Sequence, residues 1–525
     1  MADWREGPFL ISAAPGAGKT RPALELAKDL LAKRIVARVA VLCPTTPLTR
    51  QWASAAALLG VQLQPDAKGP NPPRDFHGVA VTYARVATDP RGWAAKAPAD
   101  MLVIVDEAHH LGEDLAWGTG FQQAFASAPR WLLLSGTPFR SDATPIPGVH
   151  YDHDGMVVPD VSYTYAEAVA EGICRPVAFV TFDGTLSWRS GDDVVESSFE
   201  TVLTAREASR RYRTAISTEL PEGLPRILRE AHAKLTALRA EGHRDAGGLA
   251  VAADATHARR IAKLLGETTG RAPVVVLHTE ANAARKLADF RGSREPWIVA
   301  VNMVSEGVDI PRLRVGVYAT AAKTPLIFRQ IVGRFVRTIP TDRRSAGGAE
   351  PSWLYLPADP TLRAHASEVE TELRHALRRD EVEEGWEEPL QRRASEPSPT
   401  ADFVPLSAEF AAQMTLFGPP QRAQAPAPAA TPAPAATNAG ATPTSEAPEP
   451  APVAAFERRE ELRQERSRLV AELQRRDGRS HREINVWVNR AVGVERVDAA
   501  SIKQLERSIH ALTRELTRGS RPARA

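Results

Sequence analysis

The stretch Ala13-Ala14-Pro15-Gly16-Ala17-Gly18-Lys19-Thr20 lies between an apolar run, Phe9-Leu10-Ile11, and a segment with helical spacing, Pro22 to Lys33. Strand, glycine-rich turn, helix: that order constrains the fold more than anything else in the chain. Glycines let the turn wrap tightly and aim backbone N–H groups inward, and the positive end of the helix dipole completes a nest for phosphate. Lys19 is then placed to reach β- and γ-phosphates, and the Thr20 hydroxyl to ligate Mg²⁺. The usual G-x-x-x-x-G-K-[ST] pattern opens on glycine; here that position is Ala13, leaving Gly16 and Gly18 to carry the turn.

A phosphate nest of this kind needs an acidic partner at a neighbouring strand end. Leu102-Val103-Ile104-Val105 is a wholly apolar run followed by Asp106-Glu107-Ala108-His109. Asp106 emerges where it can hold the shell of the Mg²⁺ ion, and Glu107 is the candidate base for an attacking water. Further continuous runs, Val39–Leu42, Val79–Thr82 and Trp131–Leu134, read as strands buried on both faces of a parallel sheet. The pattern restarts at Leu249–Val251, Pro273–Leu277, Ile298–Val301 and Val315–Tyr318, with helices over Ala255–Gly266 and Leu326–Val336. Two successive sheets follow, bridged by amphipathic helix from about Asp183 to Arg244. Lys plus Arg number 66 against 64 Asp plus Glu, which excludes a polycation but leaves room for a local nucleic-acid groove. With Cys43 and Cys174 alone, the chain is neither a disulfide scaffold nor a multi-cysteine zinc module, and it suits a reducing, cytoplasmic setting. No apolar stretch approaches the roughly 20 residues of a bilayer span, so no membrane is expected.

Taken together, Gly16-Ala17-Gly18-Lys19-Thr20 and Asp106-Glu107-Ala108-His109 resemble the superfamily-two helicases and translocases. The extra His110 and Leu134-Ser135-Gly136-Thr137-Pro138-Phe139-Arg140 are most similar to the branch of DEAH-box type containing restriction-enzyme motor subunits (ResIII-like). The resemblance runs from about Phe9 to Thr338 and implies two tandem RecA-like domains with ATP and Mg²⁺ between them. It assigns Cys43 to Trp52, with Pro44, Thr45 and Arg50, to a loop touching the nucleic-acid backbone, and Thr82-Tyr83 to a second such contact. Ser135 and Thr137 would couple hydrolysis to domain movement. Gly307 and Asp309, within Val301 to Pro311, match the fifth motif and would face the nucleotide; Gln330, Arg334 and Arg337 match the sixth. Arg334 and Arg337, three apart on one helical face, would put guanidiniums on the γ-phosphate. His278, at a strand end, falls in the region of the fourth motif and would contact nucleic acid. Relatives carry an aromatic-plus-Gln adenine reader upstream of the phosphate loop, yet only 12 residues precede Ala13 and none is glutamine. Either adenine is read by backbone and stacking, or the start lies too far downstream.

Between Gly418 and Pro452 the chain is mostly Ala, Pro, Thr and Gln, which offers too few large apolar side chains to offset the entropy of ordering. The layout expected is therefore an ATP-binding domain (1–150), a mostly helical connector (151–245) and a second RecA-like domain (246–400). A disordered Pro/Ala-rich linker (401–455) and a basic helical tail (456–525) follow. The tail holds 17 basic against 11 acidic residues, with Leu462, Leu469 and Leu473 on one stripe and Ile502, Leu505, Ile509, Leu512 and Leu516 on another, broken at Gly478 and near Gly493. It reads as a site for DNA or a protein partner, or as a plain soluble helix pair. No nuclease-type carboxylate constellation stands out, so no cutting is expected. The resemblance implies an ATP-dependent helicase or translocase on nucleic acid, DNA before RNA. Two alternatives stand beside it: a double-strand translocase subunit of a restriction, repair or defence complex, and a nucleotide-switched binding module with a degenerate ATPase.

Overall fold

The computed structural model describes residues 4, 6–113, 115–136, 145–153, 155–190, 193–277, 280, 282–301, 310–338, 350–378, 403–414 and 454–518. The first lobe runs β1 (Gly7–Ala13), α1 (Thr20–Ala32), β2 (Arg38–Cys43), α2 (Thr46–Leu58), β3 (Leu63–Pro65), β4 (Gly78–Thr82), α3 (Tyr83–Ala87), α4 (Pro90–Ala94) and β5 (Met101–Asp106). It continues through α5 (His110–Glu113), α6 (Leu115–Phe125), β6 (Arg130–Ser135), a small hairpin of β7 (His150–Tyr151) and β8 (Val157–Val158), and β9 (Val161–Tyr163). Seven strands lie in the order β3-β4-β2-β5-β6-β1-β9, every pair parallel. The apolar runs explain this arrangement, because a strand such as Met101–Asp106 that is buried along its whole length needs helices on both sides. α1 turns Ala23, Leu24, Ala27 and Leu30 inward, a helical stripe that closes one face.

The second lobe contains α7 (Tyr165–Ala170), β10 (Val177–Ser190), β11 (Asp193–Ser197), α8 (Ala205–Ala215), α9 (Leu224–Ala240), β12 (Gly247–Ala252), α10 (Ala255–Thr269) and β13 (Val274–Val276). After these come α11 (Ala283–Gly292), β14 (Trp297–Val301), β15 (Leu313–Ala319), α12 (Pro325–Val332), β16 (Ser352–Pro357), α13 (Pro360–Arg378) and β17 (Phe403–Met414). The eight-stranded sheet is ordered β11-β10-β16-β15-β12-β14-β13, with β17 on the other side of β10. Its middle is parallel, whereas β11 and β17 run antiparallel to β10. The two sheets, with helices on their faces, are those of two RecA-like domains.

Four sequence expectations need correction, the first being the end of the first lobe, which lies beyond residue 150 because β9 (Val161–Tyr163) pairs with β1. Residues 183–190 are not helix: they prolong β10, so the second sheet begins at Val177 rather than near 246. Phe403–Met414 is not linker but a strand paired with β10 from Val180 to Ser190. The pairing depends on Gly184, where a Cβ would fall 1.6 Å from the Glu409 carbonyl oxygen. The helix expected over Leu326–Val336 stops at Val332, and the chain turns at Gly333.

The C-terminal segment forms α14 (Ala455–Asp477), α15 (His481–Val492) and α16 (Ile502–Arg518). Gly478 and Gly493, both left-handed, terminate α14 and α15 as C-caps. Leu469, Val470, Leu473, Ile484, Val488 and Leu512 make one small apolar core, and Leu462, Ala500 and Leu505 another. Among the described residues no helix is long and apolar enough to cross a membrane.

Candidate nucleotide site between the lobes

β1 delivers the chain to the phosphate loop and α1 takes it away. Gly16 (φ +88°) and Gly18 (φ +85°) hold left-handed backbone that side chains resist, which bends the turn back on itself. Ala13 stands where the usual pattern has glycine, and it is ordinary strand: it pairs with Tyr163 of β9, and the next amide, Ala14 N–H, donates to the Tyr163 carbonyl at 3.0 Å. Alanine meets no obstacle there. The α1 N-terminus has no side-chain cap and no acidic residue in its first turn, so its positive end faces the turn uncompensated.

From β5, Asp106 is buried and accepts a 2.7 Å hydrogen bond from the Trp52 indole of α2. Its backbone carbonyl accepts from the Tyr83 hydroxyl at 2.5 Å. Glu107 follows with φ +54°, a left-handed conformation rare for glutamate, and this sharp turn brings its carboxylate to 3.0 Å from Lys19 Nζ. The second carboxylate oxygen of Glu107 lies 3.5 Å from His109 Nδ1, and the His109 and His110 rings sit 4.3 Å apart. Burial works to raise both carboxyls. At Asp106 the Glu107 charge adds to burial and keeps the group above the ordinary carboxylate range. At Glu107 burial is outweighed by the charge and hydrogen bond of Lys19, helped by His109 and His110, so this carboxyl is held below that range.

Ser135, at the end of β6, is buried and registers with Ser12 of β1. The adjoining Gly136 sits directly over the site: a Cβ there would lie 3.2 Å from Lys19 Nζ and 3.6 Å from Glu107 Oε2. Thr137, His278, Gly307 and Asp309 lie outside the described residues.

The second lobe reaches the loop through the turn after α12. A Cβ on Gly333 would meet Pro15 Cβ at 2.4 Å, and a Cβ on Gly16 would meet Val336 Cγ2 at 2.6 Å and Arg337 Cγ at 3.5 Å. Arg337 is thus beside the phosphate loop. It does not share a helical face with Arg334, because Gly333 ends α12 and both arginines belong to the turn beyond. That turn is strapped down: Arg175 N–H donates to the Val336 carbonyl at 2.6 Å, and the Thr338 hydroxyl to the Ile173 carbonyl at 2.9 Å. Arg334 is buried, and Gln330 is half-buried near the end of α12.

The expected nucleic-acid contacts divide. Pro44 and Thr45 lie at the head of α2, and the Thr45 hydroxyl is buried with no hydrogen-bond partner among the described residues. Arg50 is exposed, 3.6 Å from Asp66 and 3.9 Å from Glu460. Thr82 caps α3 by accepting from Arg85 N–H at 3.2 Å. Tyr83 is no surface contact: it is buried, and its hydroxyl is spent on Asp106. Trp52, expected in a loop that touches nucleic acid, is instead buried on α2 and anchors the Asp106 carboxylate. Its signal was its place on the inward stripe Leu48, Trp52, Ala53, Ala56 of α2.

Residues 3–140 match the family described as "Type III restriction enzyme, res subunit", and residues 234–338 match "Helicase conserved C-terminal domain". The chain is a ResIII-like member of helicase superfamily two. Among the relatives of this superfamily-two chain, an uncharacterized protein of Mycobacterium tuberculosis is 43% identical over 379 residues, covering 71% of this chain and 62% of that protein. One from Mycobacterium leprae is 41% identical over 377 residues, covering 70% and 62%. The match thus spans less than two thirds of each relative's length. Among solved structures, a fragment of a putative HsdR subunit of a type I restriction enzyme from Vibrio vulnificus YJ016 aligns with TM-score 0.45 at 16% identity, over 70% of this chain and 62% of that one. S. cerevisiae Dbp5 bound to RNA and ADP BeF3 aligns with TM-score 0.42 at 13% identity, over 70% and 83%. Membership rests on the two sequence matches.

Proposed function

We propose that this superfamily-two chain is a nucleic-acid-dependent ATPase that translocates along DNA, with ATP bound between the two lobes. The observation that carries the reading is the meeting of Lys19, Glu107 and Arg337 around one glycine turn, the first two from the front lobe and the third from the rear. Triphosphate would enter against the α1 N-terminus and take Lys19 from Glu107. Freed of its ion pair, Glu107 can orient and deprotonate a water. Arg337 comes from the other lobe and would neutralise charge developing at the γ-phosphate, so turnover depends on lobe closure. Thr20 and Asp106 form an all-oxygen donor pair, as Mg²⁺ requires, and would hold the ion where it screens the phosphate oxygens. Trp52 fixes one Asp106 oxygen and leaves the other for that task.

Backbone contacts through Thr45 and Arg50 would make DNA binding indifferent to sequence and sensitive to salt. The test is ATP turnover with no polymer, single-stranded DNA, duplex DNA and RNA. Stimulation by DNA supports the reading, and turnover indifferent to all three polymers sinks it. The match to a restriction-enzyme subunit favours a second reading, a double-strand translocase that does not separate strands. Displacing a triplex strand without unwinding a duplex would select it.

A further inference from the structure

The C-terminal helices dock on the edge of the first lobe, and the way they dock leaves an opening. Ala455 N–H donates to Gln62 Oε1 at 2.9 Å and Ile502 N–H to Asp75 Oδ2 at 2.8 Å. Phe456 packs against the first-lobe core, and the Arg459 guanidinium stacks 5.7 Å over the Phe76 ring. Between these contacts runs a cleft of 1510 Å³, walled on one side by residues 64–75 with Arg50 and on the other by α14, residues 496–499 and the start of α16. Small-molecule sites occupy roughly 300–1,000 Å³, so this one is sized for something longer.

Its charge is one-sided. Eight basic side chains line it against four carboxylates. Lys68, Arg463 and Arg496 all converge on Asp498, at 3.2, 2.5 and 3.6 Å, so a single negative charge faces three positive ones. Arg74, Lys503 and Arg507 line the same cleft, are exposed, and have no ion-pair or hydrogen-bond partner among the described residues. A surplus of cations spread along a trough matches a repeated anion better than a single one. The trough is also continuous with α2: Arg50, four residues into that helix from its head, belongs to the cleft wall.

Resting on the reading of the chain as a DNA-directed ATPase, we propose that this cleft is a third grip on DNA. The phosphodiester backbone passes from the Thr45–Arg50 region into the cleft and is held there by Arg74, Lys503 and Arg507. The bundle is therefore part of the track on which the motor runs. It keeps the polymer attached when the two lobes part.

The test uses the full chain and labelled oligonucleotides of one sequence as single-stranded DNA, duplex DNA and RNA, titrated between about 50 and 200 mM salt. Two variants are compared with the natural protein: Arg74→Gln/Lys503→Gln/Arg507→Gln, and the single reversal Arg507→Glu. None of these side chains holds another part of the protein, and none belongs to the nucleotide site. The triple variant should bind DNA about tenfold or more weakly, with a log–log salt slope shallower by about two to three. The DNA concentration for half-maximal ATPase stimulation should rise in step, with polymer-free turnover unchanged. Arg507→Glu should give the same changes in smaller measure. DNA affinity and salt slope unchanged in both variants, with the natural protein still stimulated, would overturn the third grip and leave the motor reading intact. A natural protein that neither binds DNA nor responds to it overturns both. Loss confined to RNA, or loss of poly-glutamate binding with DNA affinity kept, assigns the cleft to another partner and overturns the proposal.

Discussion

The first lobe is gripped twice, in opposite ways. Against the second lobe it presents backbone: Gly16 under Val336 and Pro15 against Gly333, with no room for a single added carbon at either glycine. Against the C-terminal bundle it presents long polar side chains: Lys68 to Asp498, Arg50 to Glu460, Gln62 to the α14 N-terminus, across an open cleft. The close contact is the one that, on the proposed function, would have to place reacting groups to a fraction of an ångström. The loose one, on the proposed function, would attract a moving polymer without fixing its pose. Shape governs the first contact and charge the second, so they should fail under different treatments.

The sharpest break is at the shape-governed contact. Replacing Arg337 by Ala should cut DNA-stimulated turnover by about 10³–10⁵ while equilibrium nucleotide binding persists; full turnover in a stopped assay would remove Arg337 from the site. Glu107→Gln should cost about 10²–10⁴ in turnover and at the same time tighten ATP binding, because Lys19 loses its resident competitor. Weaker binding in that variant would mean that the Lys19–Glu107 pair organises the loop rather than guarding it. Gly333→Val should oppose closure by about 1–3 kcal/mol, read as a matching drop in turnover with the fold's melting temperature little changed. Unaltered turnover would show that the lobes work without this contact.

The charge-governed contact should answer to salt and acid instead. Lys68 hydrogen-bonds Asp498, and with Arg463 and Arg496 this holds the Asp498 carboxyl below its ordinary value. A depressed carboxylate stabilises docking above the unpaired pKa, about 3.9, and that contribution disappears as pH falls through and below it. Hydrogen exchange at the Ala455 and Ile502 amides should therefore quicken in high salt and near pH 3 before it does in the central strands. The Lys68–Asp498 pair is exposed, so Lys68→Ala should shift docking by about 1 kcal/mol or less.

Legibility in the sequence follows the same divide. The phosphate loop, Asp106 and Glu107 could be read because each lies next to an uninterrupted apolar run, and a buried strand announces its own end. Arg337 was readable by its pattern but not by its geometry: Gly333 could equally have been a packed helical residue, and only the approach of Pro15 shows why the helix stops there. β17 carried a period-two signal in Val404, Leu406, Ala408 and Phe410, overshadowed by the proline-rich stretch after it. Its partner β10 is more than 200 residues earlier, at Val180 to Ser190, and no local pattern links them. Bundle docking was beyond reach for the same reason, since Lys68 and Asp498 are 430 positions apart and exposed charges do not name their partners. Tyr83 looked like a surface contact because an aromatic after a strand reads alike whether its hydroxyl meets solvent or a buried carbonyl.

α14 has 23 residues and is about 34 Å long at 1.5 Å per residue. Its lining of the cleft ends at Ser467, and the last ten residues, some 15 Å of stiff rod, pack through Leu469, Val470 and Leu473 into the bundle's own core. Such a rod is a lever with its fulcrum at Ala455 and Arg459. A tilt of ten degrees at that root would swing the far end by about 6 Å, comparable with the spacing of successive phosphates along a strand, so small rearrangements beside the helix's foot are magnified where α15 hangs from its tip.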